Sequence, residues 1–262
     1  RTQPMRWLFF VLGRKCLYPA DECAIMQGGV VFLHYKLHRR SLPMTEPIIS
    51  VKDVSFTYEE AAEPALSHVT LDVKKGEMIG IVGHSGSGKT TLLNLLKDER
   101  ADYEGEILFD GESIKNNHDA FRGMLGFVSD DNAFFEEFTV AQNVAMLSSF
   151  YPEWDGEVFK ARMKEFGVSA GKKMSALSRA ERVRFQLAFA MAHNAKLYVF
   201  DEATAGMDPV FRKDFFKVIH ELIAAEPVTV IMTTHIEEDI RKHMDYIGVL
   251  DAGSLKSFSE VE

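Results

Sequence analysis

Gly83-His84-Ser85-Gly86-Ser87-Gly88-Lys89-Thr90 sits between the apolar run Met78-Ile79-Gly80-Ile81-Val82 and the stretch Leu92-Leu93-Asn94-Leu95-Leu96. A buried strand therefore feeds a glycine loop that opens a helix. In that context G-x-x-x-x-G-K-T reads as a phosphate-binding loop rather than a flexible turn. The glycines let successive backbone N–H groups turn onto an anion, and the helix start adds unpaired N–H donors and the positive end of its dipole. Lys89 offers a point charge to the β- and γ-phosphates of a nucleotide and Thr90 a hydroxyl to Mg²⁺, with Thr91 beside it in the first helical turn.

Upstream of the loop, 48–58 and 69–73 alternate as half-buried strands, and with 106–109 they predict an antiparallel layer beside the loop strand. Tyr58 ends the first of these, where a ring would stack on a nucleotide base for about 1 kcal/mol. Downstream, 125–128 is a short strand that ends at Ser129-Asp130-Asp131-Asn132. Thr139, Asp155 and Ser178 are placed to cap helices over 140–149, 156–166 and 179–193. The block from about 131 to 182 reads as a helical insert on an α/β core.

The core resumes at Lys196-Leu197-Tyr198-Val199-Phe200-Asp201-Glu202, an unbroken apolar strand ending in two acids. Parallel strands buried on both faces have this composition, and their carboxyl ends meet ligands. Asp201 is placed to hold the Mg²⁺ shell, and Glu202 to orient or deprotonate a water in line with the γ-phosphate. A helix follows over 209–225, then a strand over 228–232 that ends at Thr233-Thr234-His235, where the histidine is positioned to touch a γ-phosphate. A strand over 246–250 closes the sheet, and Asp251-Ala252-Gly253-Ser254 makes a hairpin-like turn. The predicted class is α/β: a P-loop NTPase core with a mostly parallel sheet, an antiparallel β layer and an inserted helical subdomain.

Of the 262 residues, 46% are apolar and 26% charged, enough for one large domain or one domain with an inserted subdomain. The net charge of −9 argues against a nucleic-acid partner, which a basic patch or stripe would serve. No apolar run approaches the roughly 18 residues of a membrane span, so a membrane role requires a partner. Residues 1–43 carry seven Lys or Arg against two Asp or Glu and hold both cysteines, and Met44 leads straight into the first alternating strand. We therefore expect 1–43 to be upstream sequence or a disordered extension and the domain to span 44–262. The alternative for 1–43 is a basic arm on a membrane surface. Cys16 and Cys23, with no second pair or histidine at ligand spacing, make no metal site.

Together these motifs resemble the ATP-binding subunits of ABC transporters, from about Ile48 to the end of the chain. Tyr58 resembles the adenine-stacking aromatic, Gly83 to Thr90 the Walker A loop, and Leu177-Ser178-Arg179-Ala180-Glu181 the signature segment. Leu197 to Glu202 resembles the Walker B strand, Ala205-Gly206-Met207-Asp208 the D-loop, and His235 the switch histidine. Tyr151-Pro152-Glu153-Trp154-Asp155 and Asp208-Pro209-Val210-Phe211-Arg212 further resemble the ABC-2-type exporter ATPases.

The resemblance implies binding and hydrolysis of ATP with Mg²⁺ in a head-to-tail pair of such domains, each ATP lying between one Walker A loop and the other subunit's signature. Ser178 and Asp208 are then nucleotide-contacting residues, and Asp130 stands where the family carries a glutamine or glutamate that reaches Mg²⁺. The pair, a homo- or heterodimer, would drive a separate transmembrane permease from the cytoplasmic face of the membrane, as an exporter. Arg179 and Ala180 occupy positions where the family has glycines. The guanidinium would crowd a partner's γ-phosphate, or pair with that phosphate or with a carboxylate across the dimer. The alternatives are a soluble non-transport ABC ATPase and a nucleotide-binding regulator with weak hydrolysis.

Overall fold

The computed structural model describes residues 8–11, 14–17, 47–97, 102–129 and 134–261. Strands β1 (Leu8–Val11) and β2 (Arg14–Leu17) pair antiparallel as a hairpin, and the rest of 1–43 lies outside the described residues. The antiparallel layer contains β3 (Pro47–Phe56), β4 (Leu66–Lys74), and, further along the chain, β6 (Glu104–Phe109) and β7 (Glu112–Ser113), in the order β4-β3-β6-β7. In β4, Leu66, Val69, Leu71 and Val73 are buried while Thr70, Asp72 and Lys74 are exposed. β3 is less regular, because its register against β4 shifts between Val51 and Val54, where Asp53 turns to φ +51 and its N–H finds Thr70 Oγ1.

The second sheet has the order β12-β11-β5-β10-β9-β8. Its members are β5 (Met78–Val82), β8 (Leu125–Val128), β9 (Leu197–Asp201), β10 (Thr229–Thr233), β11 (Tyr246–Asp251) and β12 (Ser254–Glu260). All neighbours are parallel except β11 and β12. β5, β9 and β10 are buried almost throughout, as expected of strands covered on both faces. The expectation that 246–250 closes the sheet is corrected, since β12 folds back and forms the edge. Its polar run Ser254-Leu255-Lys256-Ser257-Phe258-Ser259-Glu260 carries too weak an alternation to announce a strand.

Among the described residues the α-helices are α1 (Lys89–Leu96), α2 (His118–Met124), α3 (Val140–Leu147), α4 (Gly156–Phe166), α5 (Arg179–Ala192), α6 (Pro209–Ala225) and α7 (Glu237–His243). Thr139, Asp155 and Ser178 cap α3, α4 and α5 as the sequence predicts, the first and last through full capping boxes. Helix α5 has two apolar faces. Phe185, Ala188, Phe189 and Ala192 join the insert's core with Val140, Phe159 and Met163, whereas Val183, Leu187 and Ala190 join a second core with Tyr198, Phe200 and helix α6. Arg179-Ala180-Glu181, the end of the signature segment, thus open a helix packed into both cores.

His193, at the end of α5, anchors that helix to β8. It is 2% exposed, hydrogen-bonds the Leu125 carbonyl through Nε2 at 3.1 Å and stacks on Tyr151 at 4.2 Å, and burial pulls its pKa down to about 4. An unfolded histidine titrates near pH 6.5, so the unfolded chain takes this proton first. The stability from keeping His193 neutral is therefore complete above pH 6.5 and falls as pH drops toward about 4, by about 3 kcal/mol overall. Denaturant midpoints measured across that window are expected to decline, with a shallower pH dependence in His193→Gln.

Candidate active site

Helix α1 begins at Lys89 with Gly88 as its N-cap at φ +102, and a Cβ at Gly88 would lie 2.7 Å from the Ala65 carbonyl oxygen. At Gly83 a Cβ would lie 2.2 Å from the Leu250 carbonyl oxygen, so the loop is pressed against both β4 and the end of β11. The Gly253 N–H donates to the Ser87 carbonyl at 3.1 Å, which lets the β11–β12 turn brace the loop. The Lys89 ammonium donates to the carbonyls of Gly83 and His84 at 2.8 and 2.9 Å. A cleft of about 600 Å³ opens above, lined by Tyr58, Ala65, Gly83, His84, Ser85, Gly86, Gly88, Lys89, Thr90, Thr91, Glu202 and His235. Ser87 turns its side chain inward, and its hydroxyl is buried. The Tyr58 hydroxyl meets Thr91 Oγ1 at 3.1 Å and its ring packs edge-on against Phe56, which holds the aromatic at the rim of the cleft.

Glu202 lines the same cleft as the loop, while Asp201, the last residue of β9, stands directly before it and is not part of the lining. Thr233 Oγ1 donates to Asp201 Oδ1 at 2.5 Å and accepts the Glu202 N–H at 2.9 Å. Register explains this contact, since Thr233 pairs with Asp201 across β10 and β9. Glu202 adopts φ +47, a left-handed conformation unusual for a side chain with a Cβ and frequent at functional sites. Its carboxylate lies 4.0 Å from His235 Nδ1, with side chains 46% and 66% exposed, a separation and exposure that leave the pair weak until something excludes water.

Among the described residues no three His, Cys, Asp or Glu side chains converge into a cage for an ion. A hydroxyl at Thr90 and a carboxylate at Asp201 are hard oxygen donors of the kind that hold Mg²⁺ when phosphate oxygens and water complete its shell. The donor chemistry therefore fits. Asp130, expected to join that shell, lies outside the described residues. The strand leading to it ends at Val128, and the next residue, Ser129, has its backbone N–H and C=O both bonded by the buried amide of Gln186 at 2.9 Å.

Ser178 and Asp208 do not line this cleft. Ser178 accepts the Glu181 N–H at 3.3 Å, and Glu181 in turn accepts the Ser178 N–H at 2.8 Å. The Lys172 ammonium and the Ser178 N–H hold Glu181 below the usual carboxylate range. Asp208 caps α6 through the N–H groups of Val210 and Phe211. Sequence reading missed Thr233 and Gln186. The signal for Thr233 was its place at the end of a buried strand two residues before His235; nothing local marks Gln186.

Removing the hydroxyl that holds both acids leaves the Glu202 N–H and the Asp201 carboxylate short of a partner, worth about 1–3 kcal/mol. Thr233→Val is therefore expected to slow steady-state hydrolysis by about tenfold or more while the melting temperature shifts by only a few degrees. Phosphate release assays on parent and variant check this.

The family description "ABC transporter" matches residues 66–205, more than half of the chain. The methionine import ATP-binding protein MetN of Caulobacter vibrioides is 34% identical over 225 residues, covering 82% of this chain and 68% of the relative. The ABC transporter ATP-binding protein YtrB of Bacillus subtilis is 31% identical over 197 residues, covering 75% and 67%. A dimeric ATP-binding cassette solved in a post-hydrolysis state with ADP and Pi superposes with a TM-score of 0.73 at 26% identity, covering 82% of this chain and 99% of that one. The chain spans about two thirds of the length of these curated relatives.

The expectation of an exporter is corrected by the import relatives. Its motif stretch is occupied by packing, with Trp154 against Phe159 and Phe189 and Asp155 capping α4, and neither role bears on the direction of transport. The chain belongs to the ABC transporter family as an ATP-binding, ATP-hydrolysing member.

Proposed function

We propose that this chain is the motor subunit of a transporter, hydrolysing ATP to drive a separate transmembrane permease from the cytoplasmic face of the cell membrane. Among the described residues no helix is long and apolar enough to cross a membrane. The observation that carries the reading is the single cleft bordered by the glycine loop with Lys89 on one side and by Glu202 and His235 on the other. Loop N–H groups and Lys89 bind the phosphates, and Tyr58 stacks on the adenine. Glu202 orients the attacking water and takes its proton, and His235, 4.0 Å away, meets the γ-phosphate. Thr90 and Asp201 would hold Mg²⁺, with Asp130 as a third contact, and would thereby bring a charge that neutralises the phosphates.

A second ATP-binding subunit completes the site, its Ser178 and Asp208 counterparts reaching the nucleotide from across the interface. ATP bound more tightly in the closed pair than in the open one shifts the population toward closure, and hydrolysis releases it. The permease sets cargo and direction. Glu202→Gln is expected to retain ATP binding while hydrolysis slows by roughly 10² to 10⁴. Turnover at the parent rate would remove Glu202 from the chemistry.

A further inference from the structure

Arg179 occupies the first position of α5, directly after the Ser178 cap. The alternatives open from the sequence pointed its guanidinium outward, toward a partner's phosphate or carboxylate. The structure shows a contact within the chain instead. Nη1 donates to the carbonyl of Ala205, and Nη2 donates to the carbonyl of Glu202 at 3.2 Å. A planar fork suits two carbonyls at the ends of one tight turn better than a flexible ammonium does. The turn is closed by its own bond from the Ala205 N–H to the Glu202 carbonyl at 3.0 Å, so Glu202's oxygen accepts from both the turn and Arg179. Gly206 makes room: it lies at φ +67, and a Cβ there would sit 3.2 Å from Arg179 Nη1.

The same turn is held from its other side. Thr204 Oγ1 donates to Asp239 Oδ2 at 3.1 Å, and Asp239 is buried in α7, the helix that follows His235. Arg212 Nη1 approaches Asp239 Oδ1 at 3.5 Å and completes that anchor. Residues 202–206 are thus fixed between the start of α5 and α7, while Glu202 holds an unusual left-handed backbone. A backbone in that region persists only when its surroundings over-determine it.

We propose that Arg179 is a positioning residue for hydrolysis: it fixes the turn that presents Glu202 and ties it to the start of the signature helix. This rests on the ATPase reading of the cleft. A helix start facing a partner's nucleotide is then mechanically joined to the acid serving this chain's own nucleotide, so closure at one site adjusts the other. The family-like glycine at this position would lose the link, and Arg179→Gly lowers the rate rather than relieving crowding.

The test is steady-state ATP hydrolysis by the purified full chain as parent, Arg179→Gly and Arg179→Lys, with melting temperature and ATP affinity measured on each. The expected result is a kcat about tenfold lower in Arg179→Gly with KM for ATP within about twofold, and a kcat for Arg179→Lys between the two. An unchanged or raised kcat in Arg179→Gly overturns the proposal. So does a KM about tenfold higher at unchanged kcat, which would make Arg179 a nucleotide ligand. Absence of hydrolysis by the parent would sink the ATPase reading and this inference together, whereas an active parent with an indifferent Arg179→Gly sinks this inference alone.

Discussion

The register of β10 between β5 and β9 is the constraint on which the site depends. Thr233 lies opposite Ile81 on one side and Asp201 on the other, so the glycine loop, the threonine hydroxyl and the two acids leave the sheet at one level. A slip of one residue would turn Thr233 to the opposite face and part it from both acids. The register is held by burial, since every residue of β10 is buried, and by polar contacts at the start of the strand, where Thr229 Oγ1 accepts the Gly76 N–H at 2.9 Å. The same apolar packing that stabilises the sheet therefore sets the distance across the cleft.

From that edge, influence reaches the helical insert through α5. Its two apolar faces lock it to both cores, Gln186 clasps the end of β8, and Arg179 holds the turn after β9. A movement of α5 relative to the sheet is felt at Glu202, because the Arg179 side chain at the start of α5 donates to the backbone carbonyls of Glu202 and Ala205.

Elements governed by local pattern were legible in the sequence. The loop, the two-acid strand, three capped helices and the antiparallel layer rest on spacing, capping chemistry and alternation, and each reappears in the structure. What escaped depends on contacts between distant segments. The Thr233 hydroxyl acquires a role only when β10 is set beside β9. Arg179 acquires one only when α5 is set against the turn after it, and a long cation beside a signature serine says nothing of which way it will reach. Strand β12 has a sequence too polar to signal itself and forms because β11 offers an unpaired edge. Direction of transport was not legible at all, because the residues that bind and cleave a nucleotide are indifferent to the cargo of a permease.

The central claim is that the glycine loop and Lys89 bind the phosphates of ATP at the edge of the parallel sheet. Calorimetric titration of Mg-ATP into the parent and into Lys89→Ala tests it most directly. The account predicts one ATP per parent chain and an affinity at least about tenfold weaker in the variant, the loss of one charge-assisted phosphate contact. Equal affinity in the two proteins would contradict it.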